Sequence, residues 1–287
     1  MKFGLFLVFL VISNMLIPVR AEGVPWSRII GCPEDKLSSK DRSRAEKLMK
    51  SINNYYGCSD KVASCLKKDK KNETARRLAG MICRMVRHGR SDAVIRKEAM
   101  YRARSMHPFK KHKIKHHRNH CTMDPKKAKV VVTAFTDFSC PYCRIIVPYL
   151  KKKALGSKGE VALCFKHFPT QTHGKDAVIA AQAAVAASKQ GKFWPYFDIL
   201  YATKDHSSGQ LEKYAKQLGL DLSKFNEDRK SRSVRRFVAI DKREGLKMKV
   251  KGTPTLFLNG KKYLGRKDKA ELRDRIAEEL HLVSGGR

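Results

Sequence analysis

Cys140-Pro141-Tyr142-Cys143 constrains this chain more than any other stretch. It follows a β-branched, apolar run, Val130-Val131-Val132-Thr133-Ala134-Phe135, that reads as a buried strand. It heads a segment that reads as a helix to about Lys153. A cysteine at a helix N-terminus faces backbone N–H groups without intrahelical partners and the positive end of the macrodipole. Both favour the thiolate, and the thiolate is the nucleophile of disulfide exchange. Two intervening residues let the second sulfur reach the first within one turn. Pro141 falls in the first helical turn, where its missing N–H costs nothing. Cys140 is therefore expected as the exposed attacking sulfur and Cys143 as the deeper, resolving thiol. A fixed disulfide or half of a zinc site would use the same spacing. Zinc needs a second ligand pair, and none is evident.

Further along, Val161 to His167 reads as a second strand containing Cys164, here taken as a core residue. An Ala-rich helix over 174–190 follows, with more helical stretches at about 193–203, 208–218, 221–227 and 231–246. Thr255-Leu256-Phe257-Leu258 reads as a strand, Asn259-Gly260 as a hairpin turn and Lys262-Tyr263-Leu264 as the returning strand. Lys267 to Leu280 closes the chain as a helix. The order predicts an α/β fold with a helical insertion between two halves of a sheet.

The first half reads differently. Residues 24–37 are irregular, broken by Pro25, Gly31 and Pro33. Apolar positions at helical spacing then predict helices over Ser38–Tyr56, 59–68 and Glu73–Arg87, and Ser91 is an N-cap for a helix over 92–105. Residues 22–105 thus form a small all-α module. Residues 106–122 carry five histidines among many lysines and show no apolar periodicity. They read as a solvated basic linker, with a metal or anion site as the competing use. The C-terminal domain then runs over 123–287, with its insertion at about 170–247.

At the N-terminus, Lys2, the apolar stretch Phe3 to Ile17 and the small residues around Val19-Arg20-Ala21 read as a signal peptide cleaved after Ala21, with an uncleaved anchor as the alternative. An exported chain with eight cysteines is expected in a disulfide-permissive compartment. Setting Cys164 aside, Cys32, Cys58, Cys65, Cys83 and Cys121 are an odd set, so they cannot all pair with one another; Cys58 with Cys65 or Cys83 is plausible. Lys and Arg number 62 against 27 Asp and Glu, a net charge of +35. The excess is spread over both halves, whereas a dedicated nucleic-acid arm would concentrate it. No specific nucleic-acid partner is expected; acidic partners or anionic headgroups suit the surface better.

Two resemblances add to this reading. Phe135-x-Asp137-Phe138-Ser139-Cys140-Pro141-Tyr142-Cys143, the run His167-Phe168-Pro169 … His173 … Phe193-Trp194, and Gly252-Thr253-Pro254-Thr255 are similar to the DsbA family over roughly 130–280. The resemblance implies a thioredoxin fold with an inserted helical domain and protein-disulfide oxidoreduction. It implies Cys140 and Cys143 as catalytic residues and Pro141, Tyr142, Thr253 and Pro254 as their support. Pro254 becomes the cis-proline, and Thr253 presents its backbone to a client. Partners would be cysteine-bearing clients and a membrane redox partner, with no metal or organic cofactor. The acid that the family often places six residues before the first cysteine is replaced by Ala134. Asp137 is nearer and is expected at the strand end, partly exposed.

The stretch Ala75-Arg76-Arg77-Leu78 … Cys83-Arg84-Met85-Val86 … Gly89-Arg90-Ser91-Asp92 … Ile95 resembles the helical hairpin of the CcmH family. That family carries a Cys-x-x-Cys before the hairpin. Here Cys58 and Cys65 have six residues between them, so a shared scaffold is the inference. Dithiol oxidase is the leading reading. The alternatives are an isomerase or reductase oligomerised by the N-terminal module, a CcmH-like apocytochrome thiol reductase using Cys58 and Cys65, and a non-catalytic basic binding protein.

Overall fold

The computed structural model describes residues 23–285, so the signal-peptide reading lies outside the described residues. Among those residues no helix is long and apolar enough to cross a membrane. Helices α1 (Ser39–Ser51), α2 (Val62–Lys68), α3 (Glu73–Arg87) and α4 (Asp92–Met106) come first. Then follow β1 (Val130–Thr136), α5 (Pro141–Leu155) and β2 (Val161–His167). The insertion holds α6 (Gly174–Lys189), α7 (Phe193–Ala202), α8 (Ser208–Gln217), α9 (Leu222–Lys230) and α10 (Arg232–Lys247). The chain closes with β3 (Thr255–Leu258), β4 (Lys261–Lys262) and α11 (Lys269–Val283).

The sheet order is β2-β1-β3-β4, with β1 and β2 parallel and the other pairs antiparallel. β1 lies inside the sheet and all seven residues of β2 are buried, which is why both strands read as continuous apolar runs rather than alternations. This is the α/β architecture expected from the sequence, preceded by helices. The β3–β4 turn uses Asn259 at φ 48° and Gly260 at φ 77°, the conformation for which Asn-Gly is suited. Gly260 has a second reason to lack a side chain: a Cβ there would stand 2.2 Å from the His112 carbonyl oxygen.

The N-terminal helices share a core built on Leu48, Met49, Leu66, Leu78, Ile82 and Ile95. Ser38, Asn72 and Ser91 cap three of them by accepting hydrogen bonds from the backbone N–H three residues on. Disulfides join Cys32 to Cys83 and Cys58 to Cys65. Part of the polar side of α3 and α4 faces α11 rather than solvent. Arg84 reaches Glu271 at 2.6 Å and Asp274 at 2.7 Å on α11, and Arg77 reaches Asp274 at 3.0 Å. Arg102, fully buried, pairs with Glu271 at 2.9 Å and with Glu278, while its Nε donates to the Tyr55 hydroxyl at 3.1 Å. A buried ion network thus holds the helical module on the last helix of the α/β domain.

The segment read as a solvated linker is a strap across the sheet. The His112 N–H donates to the Gly260 carbonyl at 2.8 Å, and His116 Nε2 lies 2.8 Å from the Thr133 hydroxyl on β1. Ile114 packs against a cluster that includes Phe135, Phe168 and Phe257. His120 is buried and stacks on Phe193 with ring centroids 3.9 Å apart. Cys121 forms a disulfide with Cys164 and bridges β2. Two expectations change here. Cys164 is a disulfide partner, and with it the six cysteines outside the Cys-x-x-Cys pair completely. The strap escaped the sequence reading because its apolar and aromatic contacts follow no period.

Closing a loop over a sequence separation of 43 removes chain entropy from the unfolded state. Replacing Cys121 and Cys164 together by Ala is expected to cost about 2–4 kcal/mol. Urea denaturation checks this, and an unchanged midpoint would refute it.

Candidate functional site

Cys140 and Cys143 are the two free cysteines among the described residues. Cys140 occupies the N-cap position of α5 and Pro141 the first helical turn. The strand delivers the chain to this point with its backbone engaged. The Cys140 N–H donates to the Asp137 carbonyl at 3.2 Å, and the Arg144 N–H to the Cys140 carbonyl at 3.1 Å. Tyr142 stands out into solvent at 73% exposure, whereas Cys140, expected as exposed, is only 3% exposed. What covers it is the loop before β3. The Thr253–Pro254 peptide is cis, and the Cys140 Sγ lies 3.4 Å from the Thr253 carbonyl oxygen. The structure therefore brings Cys140, Pro141, Tyr142, Cys143, Thr253 and Pro254 into one place.

The two sulfurs are driven apart in acidity. A hydrogen bond from the Cys143 thiol outweighs burial at Cys140; with it act the Thr253 hydroxyl and the backbone N–H groups of Cys143 and Tyr142. Together they lower Cys140 from 9.0 to about 5. Burial pushes Cys143 up, and the charge and hydrogen bonding of its neighbour Cys140 push it further, against the Thr136 hydroxyl and the Asp137 N–H. At neutral pH the reduced site holds one stabilised thiolate above one buried thiol, the division of labour that nucleophile and resolving thiol need. The Cys140 thiolate forms as pH rises through about 5. Thiolate absorbance of the reduced protein is therefore expected to grow through that pH and to vanish on oxidation. Cys143→Ala removes the largest stabilising contact and is expected to move the midpoint upward. A midpoint unmoved near 9 in the unmutated protein would contradict this geometry.

Asp137 is where the sequence reading needs correction. It follows β1 directly but is buried. One oxygen accepts from the Ser139 N–H at 2.9 Å. The other accepts from the Thr170 N–H at 2.9 Å and its hydroxyl at 3.2 Å, and lies 2.8 Å from His173 Nδ1. It ties the active-site turn to the start of the insertion. Two further residues escaped notice. Thr136, on β1, contacts the Tyr201 hydroxyl at 2.7 Å as well as Cys143. His206, lowered by burial, donates from Nε2 to the Leu200 carbonyl at 3.0 Å, so its Nδ1 accepts from the Ser139 hydroxyl at 3.2 Å. Only the periodic break after Phe135 hinted at Thr136; nothing local marks His206.

A cavity of about 780 Å³ opens beside Cys140, between the Gln171–His173 turn and the end of α10. Elsewhere, Cys58 and Cys65 are joined to each other in the helical module. Among the described residues no group of three or more histidine, cysteine or carboxylate side chains is placed to hold a metal.

A thioredoxin family model matches residues 119–278. The Na(+)/H(+) antiporter NhaA 3 of Salinispora tropica is 36% identical over 142 residues, covering 49% of this chain. The chain spans only 22% of that antiporter's length. A probable disulfide bond formation protein D of Bacillus cereus is 32% identical over 170 residues, covering 53% of this chain and 75% of that protein. Among solved structures, oxidised BdbD from Bacillus subtilis is 25% identical with a TM-score of 0.48, over 53% of this chain and 88% of that one.

Proposed function

The chain belongs to the thioredoxin family, and from that premise we propose that it is a protein thiol–disulfide oxidoreductase, exported, that works as a dithiol oxidase on client cysteines. In the oxidised form a client thiolate attacks Cys140 Sγ. The Cys140–Cys143 bond breaks, and Cys143 leaves with the electron pair and takes up a proton. A second client thiolate then attacks the client sulfur of the mixed disulfide and expels Cys140 as its thiolate. The client loses two electrons and the protein gains them; a membrane redox partner takes them on. Thr253 and Pro254 present the client backbone, and Tyr142 borders its path. Pro141 starts the helix that stabilises Cys140. The chemistry calls for no metal or organic cofactor.

One observation carries the direction of the reaction: the Cys140 thiolate is stabilised far below an ordinary thiol. A stabilised thiolate is a good leaving group and favours the reduced protein, which makes the disulfide oxidising. The resemblance to a disulfide bond formation protein supports the same reading. Equilibrating the full protein with glutathione buffers tests it. A potential near the oxidising end, roughly −120 mV, is expected. A value near roughly −270 mV would make the protein a reductase instead.

A further inference from the structure

The cavity beside Cys140 is lined by positive charge, and the nearest carboxylate described there, Asp137, lies behind its wall, held by Thr170 and His173. Lys242 and Lys251 line it together with Phe168, Leu246 and Val250, and no carboxylate does. Leu246 is 57% exposed, so an apolar side chain as well as two ammonium groups is open to an incoming segment. Beyond Thr253 and Pro254 a second hollow of about 420 Å³ continues past Tyr142 to Arg266 and Lys267. Its one carboxylate, Asp268, is already held by Arg266 at 3.1 Å. The surroundings reinforce the sign: Lys262 is lowered first by burial, then by Lys251, Lys267 and Lys249. An extended client crossing Thr253 meets cations on either side of the reacting sulfur.

We propose that the site selects client segments with Asp or Glu beside the reactive cysteine and a bulky apolar residue nearby; this rests on the oxidoreductase reading above. The chemistry is specific to the client thiol. A flanking carboxylate raises the pKa of a cysteine in solution and withholds its thiolate. Lys242 and Lys251 offset that carboxylate in the groove, so the acidic segment is both attracted and activated there. A lysine-flanked cysteine meets like charge and is turned away.

The test uses the oxidised full protein and three reduced peptides that differ only in Glu, Gln or Lys flanking the same cysteines. The Glu peptide is expected to exceed the Lys peptide in kcat/KM by on the order of tenfold at low salt. The gap should narrow at high salt, and the order should reverse in K242E/K251E. Equal rates for the three peptides, or an order indifferent to K242E/K251E, would overturn the preference and leave the oxidase reading standing. Oxidation of none of them, by protein whose Cys140–Cys143 disulfide still exchanges with dithiothreitol, would overturn the oxidase reading and the preference with it.

Discussion

Cys140→Ser and Cys143→Ala are each expected to bring client oxidation down to the uncatalysed background, because either removes the disulfide that client thiolates attack, but only Cys143→Ala is expected to keep a nucleophile that can be trapped. That difference separates the two sulfurs. Without Cys140 no sulfur is placed at the N-terminus of α5 beside Thr253, and the Cys143 thiol is too buried and too weakly acidic to replace it. Without Cys143 the Cys140 thiolate remains and can attack, but nothing inside the protein resolves the mixed disulfide. Incubating Cys143→Ala with an activated disulfide-bearing peptide should therefore trap a covalent adduct that reducing agent releases. Adduct formation by Cys140→Ser at the same rate would assign the nucleophile to another residue.

Arg102→Met is expected to destabilise the folded protein by about 3–5 kcal/mol, the loss seen when one partner of a buried ion pair is removed. Arg102 is fully buried, joining α4 to Glu271 and Glu278 on α11. Methionine fills much of the volume but leaves those carboxylates facing fewer cations. Arg275 and Arg84 remain as partial compensation. Adding Glu278→Gln should recover part of the loss, because it removes one of the stranded charges. Urea denaturation of the single and double variants measures both. A single variant within about 0.5 kcal/mol of the parent, the range of ordinary surface changes, would show that the network contributes little.

That network shows why the sequence disclosed some of this molecule and withheld the rest. The strands were legible because burial on both faces leaves an unbroken apolar run, and Val161 to His167 was bounded correctly from composition alone. The Cys-x-x-Cys turn and the Gly252-Thr253-Pro254-Thr255 loop were legible because each is a compact local signal. The structure brings them within 3.4 Å of each other. Arginines at helical spacing on α3 and α4, by contrast, look the same whether they face water or an acidic helix nearly two hundred residues away. Only the fold puts Glu271, Asp274 and Glu278 opposite them. Asp137 was misplaced for a related reason. A carboxylate at a strand end is usually solvated, and its partners Thr170 and His173 come from beyond β2. Cys164 was read as core because burial is common to core residues and disulfides, and its partner sits in an aperiodic strap.

The strap has one more consequence. Residues 107–120 hold five lysines and arginines interspersed with histidines, and by sequence they would be an early place for a trypsin-like protease to cut. A protease needs to draw roughly ten residues of backbone into an extended conformation, and digestion of a native chain follows local opening rather than the number of cleavable bonds. Here the backbone is pinned at His112 by the β3–β4 turn, at Lys115 by Glu244, and at Cys121 by a covalent bond to β2. A stretch that by sequence looks readily cleaved is thus fastened at three points, and proteolysis there is expected to be slower than its run of basic residues suggests.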